Sequence, residues 1–221
     1  GFLNYSLSLA LAMFTFAAWV RWEGWRWRTL VMIPVGFVVF LAHVSGFGIL
    51  GVLVFGYEWS RRKNWLAFIS PWPLALPIIP MLFTANGDSK IGYGRHVLEY
   101  KWSILYRSLR SHFEWFDIAT VAAVVGLLVV AAIMRRIDGR LGWAALILLI
   151  LTIVVPRQIF GGDYADYRLS TAALMVACLA INWPAPRWGV VLVAALFAVR
   201  LSITTLNWYE DGKESALMIR A

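Results

Sequence analysis

The chain has 221 residues, of which 61% are hydrophobic and 14% charged, and its mean hydropathy is +0.72. A soluble domain with a solvated surface does not tolerate that balance, so lipid is read as the main solvent. The net charge of +8 sits in short loops beside apolar blocks, the pattern of membrane-topology signals rather than of a nucleic-acid-binding surface.

The apolar blocks run to roughly 15–20 residues, the length that crosses a hydrocarbon core of about 30 Å at about 1.5 Å per residue. Short alternating stretches of the β-barrel kind are absent. The expected fold is all-α: a polytopic membrane helix bundle of six full spans, a short helical hairpin and an outer amphipathic helix, in one transmembrane domain over residues 1–221. The opening on Gly1, close to a span, and the polar tail up to Ala221 read as parts of a longer chain. The lone Cys178 falls inside a span and reads as a small buried apolar residue.

The first span covers residues 2–20 and ends where Arg21, Glu23, Arg26 and Arg28 alternate with Trp22, Trp25 and Trp27, as residues do at a membrane interface. The next apolar stretch, 29–59, would be about 45 Å long as one helix, longer than the hydrocarbon core. A hairpin is therefore expected, with its tip at His43-Val44-Ser45-Gly46-Phe47-Gly48. Folding back brings Arg21 to Arg28 and the closing Arg61, Arg62 and Lys63 to one side, as the positive-inside rule prefers.

A third span, 65–83, carries Pro71, Pro73, Pro77 and Pro80; each removes a backbone donor, so the span is expected to be bent or broken. It leads into the longest loop, 84–116. There Leu98, Trp102, Leu105, Leu109, Phe113 and Phe116 recur every three or four residues opposite Glu99, Ser103, Arg107, Arg110 and Glu114. That pattern predicts an amphipathic helix lying on the membrane surface or against the spans.

The remaining spans are 118–134, 141–155, 169–183 and 188–206. Arg135, Arg136 and Arg140 mark one short loop between them and Arg187 another. With these loops cytoplasmic, the loops 84–116 and 157–168 and the tail after Asn207 lie outside.

The densest polar cluster is Pro156-Arg157-Gln158-Ile159-Phe160-Gly161-Gly162-Asp163-Tyr164-Ala165-Asp166-Tyr167-Arg168. Asp163 and Asp166, three residues apart, share a face if the helix has begun, and each is suited to act as base, metal ligand or partner of Arg157 or Arg168. An equally simple reading makes one of them a helix cap and leaves the arginines to lipid headgroups. His43 and Ser45, at the hairpin tip, either touch a substrate or hydrogen-bond across helices whose glycines permit close packing. No second histidine at ligand spacing accompanies His43, so no metal or other cofactor is expected. Arg200, well inside a span, either snorkels outward or pairs with an acid such as Asp163 or Asp166.

The opening Gly1-Phe2-Leu3-Asn4-Tyr5, the basic loop, the hairpin with His43 at its tip, the proline-rich span, the outer amphipathic segment and Gly162-Asp163-Tyr164-Ala165-Asp166-Tyr167-Arg168 together form an order of features. That order resembles the later half of bacterial GT-C-type integral-membrane glycosyltransferases. The resemblance implies an inner-membrane enzyme moving a sugar from a polyprenyl-phosphate carrier to an extracytoplasmic acceptor. Membrane lipids, the lipid-linked sugar and other membrane subunits are the implied partners. It further implies that His43, Asp163, Asp166, Arg168 and Arg157 line the donor site, with arginine binding phosphate by charge-assisted hydrogen bonds. The family's catalytic acid lies in a first outer loop that this sequence does not hold. The competing expectation is a non-catalytic membrane subunit of a larger complex, its thirteen tryptophans serving as anchors and packing surface.

Overall fold

A computed structural model describes residues 2–84, 91–109, 113–159, 164–184 and 186–220. The described residues form eleven helices: α1 (Phe2–Arg21), α2 (Arg28–Ala42), α3 (Val44–Arg62), α4 (Leu66–Ile69), α5 (Trp72–Ala75), α6 (Ile78–Thr84), α7 (Val97–Arg107), α8 (Glu114–Ile133), α9 (Gly139–Val154), α10 (Ala165–Leu179) and α11 (Arg187–Arg220). Among these residues the only β-pairing is two single antiparallel bridges, Gly92 with Gln158 and Ile137 with Ile181. The all-α expectation therefore holds.

The predicted number of full spans does not follow from helix length. Among the described residues three helices are long and apolar enough to cross a membrane: Leu3–Arg21, Glu114–Ile133 and Arg187–Lys213. The apolar α2 and α9 have 15 and 16 residues and α10 has 15, or about 22–24 Å of helix each. The proline-rich segment predicted as one span is three short helices, because prolines two to four residues apart leave no uninterrupted ladder of backbone hydrogen bonds. The polar tail after Asn207 continues α11, which at 34 residues is about 51 Å long.

The 29–59 stretch does fold back, and it breaks at one residue. His43 is extended (φ −174°, ψ 133°) between α2 and α3, and its Nδ1 accepts the Ser45 N–H at 3.0 Å, capping α3. Gly46 lies inside α3 and not in the turn. Its missing side chain admits α1: a Cβ at Gly46 would collide with the Ser8 side chain and backbone. The Ser8 hydroxyl, with one proton to share, lies 3.0 Å from the Val39 carbonyl and 2.9 Å from that of His43. α1 thereby holds both arms of the hairpin.

The far end of the hairpin is fastened by charge. Glu58 is wholly buried; it accepts from the Trp19 indole N–H at 3.0 Å and the Arg62 Nε at 2.8 Å, and lies 3.6 Å from Arg28. Arg61 pairs with Glu23, which also accepts the Tyr57 hydroxyl at 2.7 Å. The two basic loops therefore share one end of the bundle.

The core runs through α1, α3, α9 and α10, with Trp19, Ile49, Leu50, Leu53, Leu148 and Val176 almost fully buried. α3 and α9 approach closely at Gly56, where a Cβ would lie 2.8 Å from the Ala144 backbone nitrogen. The α8–α9 loop belongs to the basic end as well. Gly139 packs against Ser60, and backbone bonds from Asp138 to Ala180 (2.8 Å) and from Asn182 to Arg136 (2.7 Å) tie the loop to the end of α10. Cys178 is exposed on the outside of the bundle, contrary to the buried position expected for it.

Candidate functional site

At the opposite end, Tyr5 joins two residues that the sequence singled out separately. Its hydroxyl donates to the Arg168 carbonyl at 2.7 Å, and its ring centroid lies 5.8 Å from the Arg168 guanidinium carbon. The same ring meets the His43 imidazole edge-on at 6.0 Å. His43 and Arg168, 125 positions apart in sequence, are thus two sides of one cluster centred on a tyrosine noted only for opening a span. His43 Nδ1 is occupied by the Ser45 N–H, which leaves Nε2 to carry the ring proton.

Arg168 lies in the first turns of α10, where the helix dipole disfavours a cation. Among the described residues it has no carboxylate partner, and its buried Nε makes no hydrogen bond. A buried donor without an acceptor costs about 1–3 kcal/mol. The cluster therefore offers an unspent cation, an uncommitted N–H and an imidazole, a set suited to an anionic oxygen.

Asp166, two residues earlier, is fully buried and its carboxylate is engaged. Oδ2 lies 2.5 Å from Lys101 Nζ; Oδ1 accepts the Tyr167 N–H at 2.9 Å and lies 3.3 Å from the Tyr100 hydroxyl. Lys101 also donates to the Thr152 and Val155 carbonyls at 2.9 and 2.6 Å. The ammonium thus meets the negative end of α9 while the carboxylate meets the positive end of α10. This makes Asp166 a tie between α7, α9 and α10.

The amphipathic pattern did not reveal Lys101. The stripe read as the packing face leaves Leu98 86% and Trp102 68% exposed, while Lys101, Ile104 and Ser108 are buried. A second i, i+3, i+7 stripe containing a lysine was the available signal, and it was masked by the more apolar face beside it.

Arg157 stacks between two aromatic rings, 5.1 Å from that of Tyr100 and 4.6 Å from that of Tyr164. Its carbonyl accepts the Ala165 N–H at 3.0 Å, and the neighbouring Gln158 exchanges backbone bonds with Gly92. Asp163 lies outside the described residues. Arg200 pairs with Asp117 at 2.6 Å and also donates to Thr120 and to the Leu109 carbonyl. Its acid is thus on α8, in place of the expected Asp163 or Asp166, because Arg200 of α11 reaches the first turns of α8. Comparison of the chain with protein-family models, with curated proteins and with solved structures finds no match in any of the three.

Proposed function

We propose that the chain is the multi-pass membrane part of a glycosyltransferase that takes a sugar from a polyprenyl-phosphate carrier in the inner membrane and passes it to an extracytoplasmic acceptor. α1, α8 and α11 span the bilayer; the shorter α9 and α10, the α2–α3 hairpin and the broken α4–α6 segment complete the bundle with its arginine-rich end in the cytoplasm. The observation that carries the reading is Arg168, unpaired among the described residues and with a buried, unused Nε, beside His43 and Tyr5 at the end away from the basic loops. A lipid-linked phosphate supplies the missing acceptor oxygens there.

Sugar transfer by the full-length protein in proteoliposomes, from a radiolabelled polyprenyl-phosphate sugar, is the test. Arg168→Gln is expected to lower transfer about 10- to 100-fold, the value of one or two charge-assisted hydrogen bonds. Absence of transfer by the intact protein supplied with such carriers would overturn the reading.

The second reading, a non-catalytic subunit of a larger membrane complex, draws on α11. None of its apolar window is buried within the chain, which leaves a long helix for other membrane subunits. Copurification in fixed ratio with a larger assembly favours it.

A further inference from the structure

A recess of about 610 Å³ opens on another face of α10, away from Arg168. α8, α9 and α10 wall it with residues such as Val125, Leu149, Ala173 and Ala177; Ser108, just past α7, lies at one end and Ile137 at the other. The lining is almost entirely hydrocarbon. Water gains too few partners in such a space, and an empty one forfeits dispersion contacts along its whole wall, so its natural occupant is a hydrocarbon chain.

The length of the recess indicates which chain. Its α10 wall runs from Ser170 to Ala180, a rise of about 15 Å, or half of a hydrocarbon core of about 30 Å. That is the depth of one leaflet. The charge at the two ends indicates which leaflet. At the Ile137 end stand Arg135 and Arg136, both exposed, and among the described residues neither makes an ion pair. The acid in the same loop, Asp138, accepts the Arg140 backbone N–H at 2.8 Å as the cap of α9. At the α7 end, among the described residues, Arg107 and Arg200 stand against Glu114 and Asp117, so positive charge is offset there.

We propose that this recess seats one acyl chain of an anionic phospholipid from the leaflet on the arginine side, with its phosphate against Arg135 and Arg136. The inference rests on the membrane placement above and not on sugar transfer. The bound lipid fills the gap between α8 and the α9–α10 pair, and so fixes the helix that carries Asp117.

Native mass spectrometry of the full protein, extracted from bilayers of equal phosphatidylglycerol and phosphatidylcholine with matched chains, tests it. The wild type is expected to retain phosphatidylglycerol preferentially. The exposed-site variant R135Q/R136Q is expected to lower that preference about fivefold per arginine, about 25-fold in all. Ala177→Phe, which fills the recess, is expected to lower retention of both lipids. Equal retention of the two lipids by the wild type, or an unchanged preference in the double variant, would overturn the proposal. These two measurements decide the matter even where Ala177→Phe fails to fold. Arg168→Gln, measured in parallel, separates the two sites: it is expected to lower sugar transfer and to leave the phospholipid ratio unchanged. Carbonate extraction of the protein from its bilayers would sink the membrane placement itself.

Discussion

Lys101 Nζ and Asp166 Oδ2 lie 2.5 Å apart with side chains 9% and 0% exposed, and the ammonium also meets two carbonyls at the end of α9. The pair joins a loop helix to two bundle helices that are not its neighbours in sequence. Each charge is costly to bury alone and tolerable only with the other.

Lys101→Met is therefore expected to cost about 3–5 kcal/mol, because it leaves a buried carboxylate without its cation. Lys101→Met with Asp166→Leu should lose less than the two single changes summed. Chemical unfolding in detergent micelles measures both, and a loss under about 1 kcal/mol for Lys101→Met would mean that the pair is not buried as described.

The Arg200 and Asp117 pair fixes α11 to α8. Arg200→Leu should destabilise by about 3 kcal/mol, the low end for breaking a buried pair, since Arg200 keeps some solvent access. The exchange R200D/D117R should recover part of the loss in a double-mutant cycle. Additive effects would show that the two residues do not interact.

Gly56 is where α3 and α9 come closest. An added Cβ would lie 2.8 Å from the Ala144 nitrogen and 3.0 Å from its Cβ, so Gly56→Ala is expected to cost about 1–3 kcal/mol through overpacking. Removing the opposing methyl with Ala144→Gly should relieve only the side-chain part, since the closest contact is to backbone. Thermal unfolding of the single and double variants reads the difference, and a neutral Gly56→Ala would count against this packing.

The bundle has a basic end, with Glu58, Arg61 and the α8–α9 loop, and an opposite end with Tyr5, His43 and Arg168. In a Cys178→Ser background, cysteines replacing Lys63 and Ile91 should label from opposite sides of sealed membranes. Labelling of both from the same side would defeat the proposed arrangement.

Composition and hydropathy alone determined that the chain is helical and apolar, where the first and last bundle helices begin, and that residues 29–59 cannot be one straight helix. These follow from local chemistry: the length of apolar runs, the loss of backbone donors at proline, and basic residues collecting in loops. The sequence also marked His43 and Arg168 as worth attention, but not that Tyr5 joins them. Only the tertiary structure decided that Asp166 is bound to Lys101, that Arg200 takes Asp117, and that Glu58 gathers the arginines of two loops. A buried charge takes whichever opposite charge packing brings within reach. Between helices that choice depends on neighbours 30 to 83 residues away, from Arg28 with Glu58 to Asp117 with Arg200, a distance over which periodicity carries no information.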